Sequence, residues 1–139
     1  GSPRRVNEFL WESTSPDAFL ALLLRQHQAD VLFVTHTGIP WQRRLPAALG
    51  GGLVVNVGAI GRPANDGRTA VWYTLLQHDP AAPDGLRARF IAVDYDFERL
   101  AAQMAAEGLA PEFITTITSG HWTTCLEILP ARERSRGRY

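Results

Sequence analysis

A chain of 139 residues is long enough for one ordinary domain and too short for two well-packed ones. Hydrophobic residues at 45% and charged residues at 20% exclude disorder over most of the length. The longest apolar stretches, residues 18–24 and 53–55, fall well short of the roughly 20 residues that cross a bilayer, so no membrane span is expected. Fourteen acidic residues balance fourteen basic ones, and a molecule of zero net charge has no overall field to steer it toward nucleic acid or an anionic lipid surface.

All fourteen basic residues are arginine, which removes Schiff-base chemistry and the lysine of a phosphate-binding P-loop. Cys125 is the single cysteine and cannot close an internal disulfide. With no charged-then-apolar leader at the start, the expected location is the cytoplasm.

Ser15, Pro16 and Asp17 predict a helix over residues 16–28, with Ser15 as its N-cap and the Asp17 carboxylate in the first turn, where the macrodipole favours an anion. Phe19, Leu20, Leu23 and Leu24 form its apolar stripe. The uninterrupted run Val31-Leu32-Phe33-Val34 reads as a strand buried on both faces, and a helix leading into such a strand indicates an α/β chain. Thr35-His36-Thr37-Gly38-Ile39-Pro40 then forms a polar loop at the strand's C-terminal end, where α/β sheets place their chemistry.

Residues 41–45 and 53–57 predict a hairpin around Gly50, Gly51 and Gly52. Asn56-Val57-Gly58-Ala59-Ile60-Gly61-Arg62-Pro63 has the composition of a tight turn. Residues 69–77 and 86–94, rich in aromatic and β-branched side chains, predict an antiparallel pair. Asp96 caps a predicted helix over residues 97–107, with Leu100, Ala101 and Met104 facing inward and Gly108 ending it. Residues 112–129 leave helix and strand open, and the arginine-rich residues 131–139 read as a frayed, solvated tail, with a phosphate-backbone contact as the minor alternative.

Among residues able to do chemistry, Cys125 and His121 are four apart, but nothing marks an activated thiol, and a structural cysteine is the better reading. His27 and His78 read as surface imidazoles. His36 stands out because it follows a strand at once and precedes Gly38 and Pro40. A zinc or two-metal centre needs several converging ligands, and these residues do not supply them.

The His36 loop, the hairpin and the Asn56-to-Pro63 turn together resemble the C-terminal half of calcineurin-like metallophosphoesterases, whose Gly-His-Thr-His-x-Pro loop leads to an Asn-Pro-Gly-Ser turn. The opening residues 1–10 resemble the stretch that follows an earlier metal-binding histidine in one bacterial branch. Residues 120–130 resemble that branch's tail, so the likeness spans nearly the whole chain. The resemblance implies an α/β fold, half of a four-layer αββα sandwich with mixed sheets, in which residues 1–139 form the C-terminal part of one domain. It also implies a two-metal centre (Mn, Fe, Zn, Ni or Mg) hydrolysing phosphomonoesters or phosphodiesters through an activated water.

On that pattern His36 is a metal ligand, and Thr37, Arg4 and Arg62 are candidates for phosphate contact. Gly38 stands where the family's second histidine belongs, and Thr35 replaces the first glycine. The other ligands belong to an N-terminal half. The expectation is therefore a companion segment, supplied as a fragment or a separate chain, without which this half is inert. The rival readings are a catalytically silent binding domain and a self-associating one that covers its own open sheets.

Overall fold

The computed structural model describes residues 1–134; residues 135–139 lie outside it. Helix α1 (Asp17–Gln26) leads into strand β1 (Val31–Val34), followed by β2 (Trp41–Arg44), a 3-10 turn (Ala47–Leu49) and β3 (Leu53–Asn56). A second strand pair, β4 (Val71–His78) and β5 (Leu86–Val93), precedes helices α2 (Phe97–Ala106) and α3 (Pro111–Ser119). A 3-10 turn (Leu126–Ile128) and a short helix α4 (Ala131–Arg134) complete the described chain.

The first sheet is mixed, in the order β1-β3-β2: β3 runs parallel to β1, with Val31 opposite Leu53 and Val34 opposite Asn56, and antiparallel to β2. Its alternating side chains separate two cores. Leu32, Val34 and Val54 pack with Leu20, Leu23 and Leu24 of α1. Leu53 and Val55 point the other way, onto Ala88 and Phe90 of the antiparallel β4-β5 pair. The layers run helix, mixed sheet, antiparallel sheet, an α/β architecture with the predicted hairpin and strand pair in place. Each fully buried leucine of α1 contributes about 1.5–3 kcal/mol, which fixes this helix on the sheet although no side chain caps its N-terminus.

Four expectations need correction. Pro16, not Ser15, occupies the cap position of α1, and Ser15 is buried with its carbonyl accepting from an Arg43 amino group at 2.6 Å. Asp17 does sit in the first turn, paired with the same guanidinium at 3.0 Å. Strand β1 is fully buried on one face only: on the other, Val31 packs partly buried beside Leu53, Val55 and Ala88, while Phe33 is 45% exposed. In α2 the Asp96 carboxylate accepts from Arg99 N–H as predicted, yet Leu100 is exposed and only Ala101 is buried, since α2 leans chiefly on α3.

The undecided segment resolves into α3, closed by Gly120 in the left-handed conformation, so His121 and Cys125 share no helical face. Part of the expected tail is ordered too. Residues 131–134 are helical, and Glu133, 2% exposed, accepts hydrogen bonds from the Ser13 backbone N–H at 2.9 Å and from the Ser13 hydroxyl. The rest of the expected tail falls outside the described residues.

Candidate functional site

Parallel pairing of β1 and β3 brings their C-terminal ends side by side, and the two loops that follow are tied to each other. Val57 N–H donates to Val34 O at 2.8 Å, His36 N–H donates to Gly58 O at 3.3 Å, and the Thr35 hydroxyl donates to the same carbonyl. Asn56, wholly buried, braces the turn: its amide oxygen accepts from Gly58 N–H at 2.9 Å, and its nitrogen donates to Leu10 O at 3.1 Å. Gly58 has φ +77, and a Cβ there would press on Gly38 O at 3.3 Å and on the Pro40 ring, so the two loops meet at a glycine where a side chain would be strained and crowded.

Two further segments close round these loops. The N-terminal amine donates to Thr35 O at 2.8 Å, and Phe9 stacks on the His36 ring, centroids 4.8 Å apart and 17° from parallel. From the far end of the chain, Trp122 joins Ile39, Trp11 and Leu129 in a small core beneath the loop. Its indole N–H donates to Pro63 O at 2.7 Å, and its backbone N–H donates to the Asn65 side chain at 2.8 Å.

His36 is exposed and held at φ +87, a conformation that a β-carbon disfavours and that proteins keep mainly where the surroundings impose it. Its ring face is covered by Phe9. Thr37 is buried, and its hydroxyl has no hydrogen-bond partner. Arg62 lies over Trp122, its Cζ 3.8 Å from the ring centroid, with Nε buried and unpartnered. The fold thus brings His36, Thr37 and Arg62 to one pair of loops. Arg4 is engaged instead: its guanidinium grips both Glu8 carboxylate oxygens and lies over the Phe19 ring at 4.7 Å. That pairing, helped by the Ser2 hydroxyl, holds the Glu8 carboxyl below its usual range.

In the sequence Asn56 is marked as part of a tight turn, Trp122 and Phe9 stand out only within segments that carry the family resemblance, and Asn65 is not singled out. The signal for Asn65 was weak: an asparagine followed by Asp66 and Gly67, in which the buried Asn65 takes φ +59.

Among the described residues no three His, Cys, Asp or Glu side chains gather where they could hold a metal ion. His36 is a lone imidazole. The described residues do not by themselves fit a metal centre.

The chain resembles a solved metallophosphoesterase from Sphaerobacter thermophilus, with a TM-score of 0.63 and 28% sequence identity over 86% of this chain and 54% of that one. The fold is metallophosphoesterase-like. This chain spans about half the length of that protein. No family model and no curated protein matches the sequence. No helix among the described residues is long and apolar enough to cross a membrane.

Proposed function

We propose that this chain is the C-terminal portion of a metal-dependent phosphoesterase acting on phosphomonoesters or phosphodiesters in the cytoplasm. The observation that carries the reading is His36, exposed and held at positive φ at the C-terminal end of β1, in a fold that resembles a metallophosphoesterase. Divalent ions in such enzymes acidify a water and neutralise phosphoryl oxygens. Because one imidazole cannot hold them, the remaining donors belong to a companion segment, and the chain alone is inert. Within the assembly His36 donates a ring nitrogen, Phe9 fixes the plane of that ring, and Arg62 and Thr37 supply donors for phosphate oxygens. Arg4 would have to surrender Glu8 to join them.

The molecule's open surfaces support a companion. Strand β1 lies at the edge of its sheet, and β4 has one unpaired edge. A cleft of about 430 Å³ runs between them, lined by Phe33, Val57, Ile60, Trp72 and Tyr73, with Ile60 fully exposed. Two unpaired strand edges flanking an apolar cleft form a template for added strands. The neighbour is longer than this chain, which covers 54% of it. A second reading, a catalytically silent domain that binds a phosphate-bearing ligand, is favoured by Gly38, which offers no imidazole.

The deciding experiment measures bound metal and turnover of an aryl phosphate ester, for the chain alone and after reconstitution with the companion. Turnover that appears only in the complex and vanishes with His36→Ala supports the enzyme. Turnover indifferent to His36 and to chelator refutes it, and bound phosphate ester without turnover supports the silent domain. A homodimer in solution that binds no other polypeptide favours self-association.

A further inference from the structure

Gly38 is not an empty position. A Cβ built on it would lie 2.5 Å from Cζ2 and 2.7 Å from Cη2 of Trp122, closer than any side chain tolerates, and its φ of +73 disfavours a side chain in any case. The indole cannot simply swing away. Trp122 is 3% exposed and is anchored by the Pro63 and Asn65 hydrogen bonds at its two nitrogens. The loop is therefore closed to a second imidazole, and the group that closes it also carries a cation.

Arg62 lies along that ring, and its Cδ comes within 3.4 Å of the same Cβ position. The hydrogen bond from its guanidinium to Thr124 O is long at 3.4 Å. No carboxylate forms an ion pair with it among the described residues. Its Nε is buried and without a partner, as is the hydroxyl of Thr37, the residue that precedes Gly38 and is 1% exposed. Buried donors without acceptors are uncommon in folded proteins, and a guanidinium held over an aromatic face keeps a fork of N–H groups suited to an oxyanion.

We infer that Trp122 shuts the loop against any side chain at position 38 and presents Arg62 there as the binding group for a phosphate-type oxyanion. Arg62 is the contacting residue and Trp122 the positioning residue; His36 is left as the only imidazole of this loop. The inference deepens the phosphoesterase reading, on which the nature of the anion as a phosphate ester rests.

The test is titration of the full 139-residue chain with inorganic phosphate in chelator-containing buffer at constant ionic strength, followed by calorimetry and by the Arg Nε–H and indole N–H resonances. Saturable binding that shifts the Arg62 and Trp122 signals is expected. Arg62→Gln should weaken it about tenfold or more, and Arg62→Lys by less. Trp122→Phe, which keeps a ring face, should hold most of the affinity, and Trp122→Leu should lose it with Arg62 intact. Absence of saturable binding to the wild type, or equal affinity in Arg62→Gln, overturns the inference, as does full affinity in a folded Trp122→Leu. The two readings fail separately. Arg62-dependent phosphate binding with no turnover in the completed assembly sinks the enzyme and leaves this site. Turnover that survives Arg62→Gln, with phosphate binding unchanged, sinks this site and leaves the enzyme.

Discussion

Replacing Gly38 by alanine should be far more damaging than a single methyl group suggests, and Gly61 provides the control. Both glycines hold nearly the same backbone conformation, φ +73 and +74, so alanine at either incurs the left-handed cost of about 1–2 kcal/mol. At Gly61 nothing lies within 4 Å of the new carbon, and that cost is the whole effect. At Gly38 the carbon meets the Trp122 ring at 2.5 Å. Either the ring is compressed, at about 1–3 kcal/mol for overpacking, or it moves and strands its buried N–H, at about 1–3 kcal/mol. The expected loss is about 2–5 kcal/mol for Gly38→Ala, a large part of the 5–15 kcal/mol that holds an ordinary domain together. Urea denaturation followed by far-UV circular dichroism measures both variants. Equal destabilisation of the two would refute the contact and, with it, the claim that Trp122 guards the loop. In a Trp122→Leu background the excess at Gly38 should shrink, since the obstructing ring is gone.

His36→Gly should leave stability within about 1 kcal/mol of wild type, because relief of the positive φ offsets loss of the Phe9 stack, worth about 0.5–1.5 kcal/mol; a loss above about 2 kcal/mol in the same denaturation assay would mark a structural histidine. Glu133→Ala should cost about 2 kcal/mol by leaving Ser13 without its charged acceptor, and a change below about 0.5 kcal/mol would show that the C-terminal helix does not brace the fold. Burial pushes the Asp84 carboxyl up, but the Arg44 guanidinium and the Leu86 N–H outweigh it and hold it below its ordinary value. Its stabilisation is thus complete at neutral pH and is lost as pH falls from about 4 downward, through the depressed folded value. Thermal melts across pH 6 to 2 should show that loss, and Asp84→Asn, which unties the β4-β5 turn from Arg44 on β2, should remove part of it and cost about 1 kcal/mol at pH 7.

The elements that could be read from sequence are those in which one local force dominates. Asp96 and Gly108 bracket α2 through capping, the Gly50-to-Gly52 run separates two strands through turn geometry, and the leucines of α1 declare a stripe. Misreadings occur where a partner distant in sequence decides. Ser15 sits one residue before the cap, with its carbonyl held by Arg43, 28 residues on, and on β1 Val31 meets the core formed with Ala88 while Phe33, on the same face, stays exposed. Residues 131–134 read as solvated because nothing local hints that Ser13 awaits Glu133 across 120 residues.

The site divides along the same line. The placing of His36 just beyond a strand end was legible because the apolar run before it and the glycine and proline after it are local signals. Its guard was not, since Trp122 reaches the loop across more than 80 residues and acts through the absence of a side chain at position 38. A glycine where a ligand is expected reads, in sequence, as something lost. In space it is the condition for packing an indole and its guanidinium against the backbone, so Gly38, Trp122 and Arg62 form one unit of design. Placing a histidine at position 38 should therefore create no second ligand unless Trp122 is first made small. The double variant Gly38→His/Trp122→Ala, compared with Gly38→His alone for Mn²⁺ binding by the reconstituted assembly, separates a vacated ligand position from a rebuilt one. Gain of metal in the single variant would show that the indole yields, and that the position beside Gly38 was simply vacant.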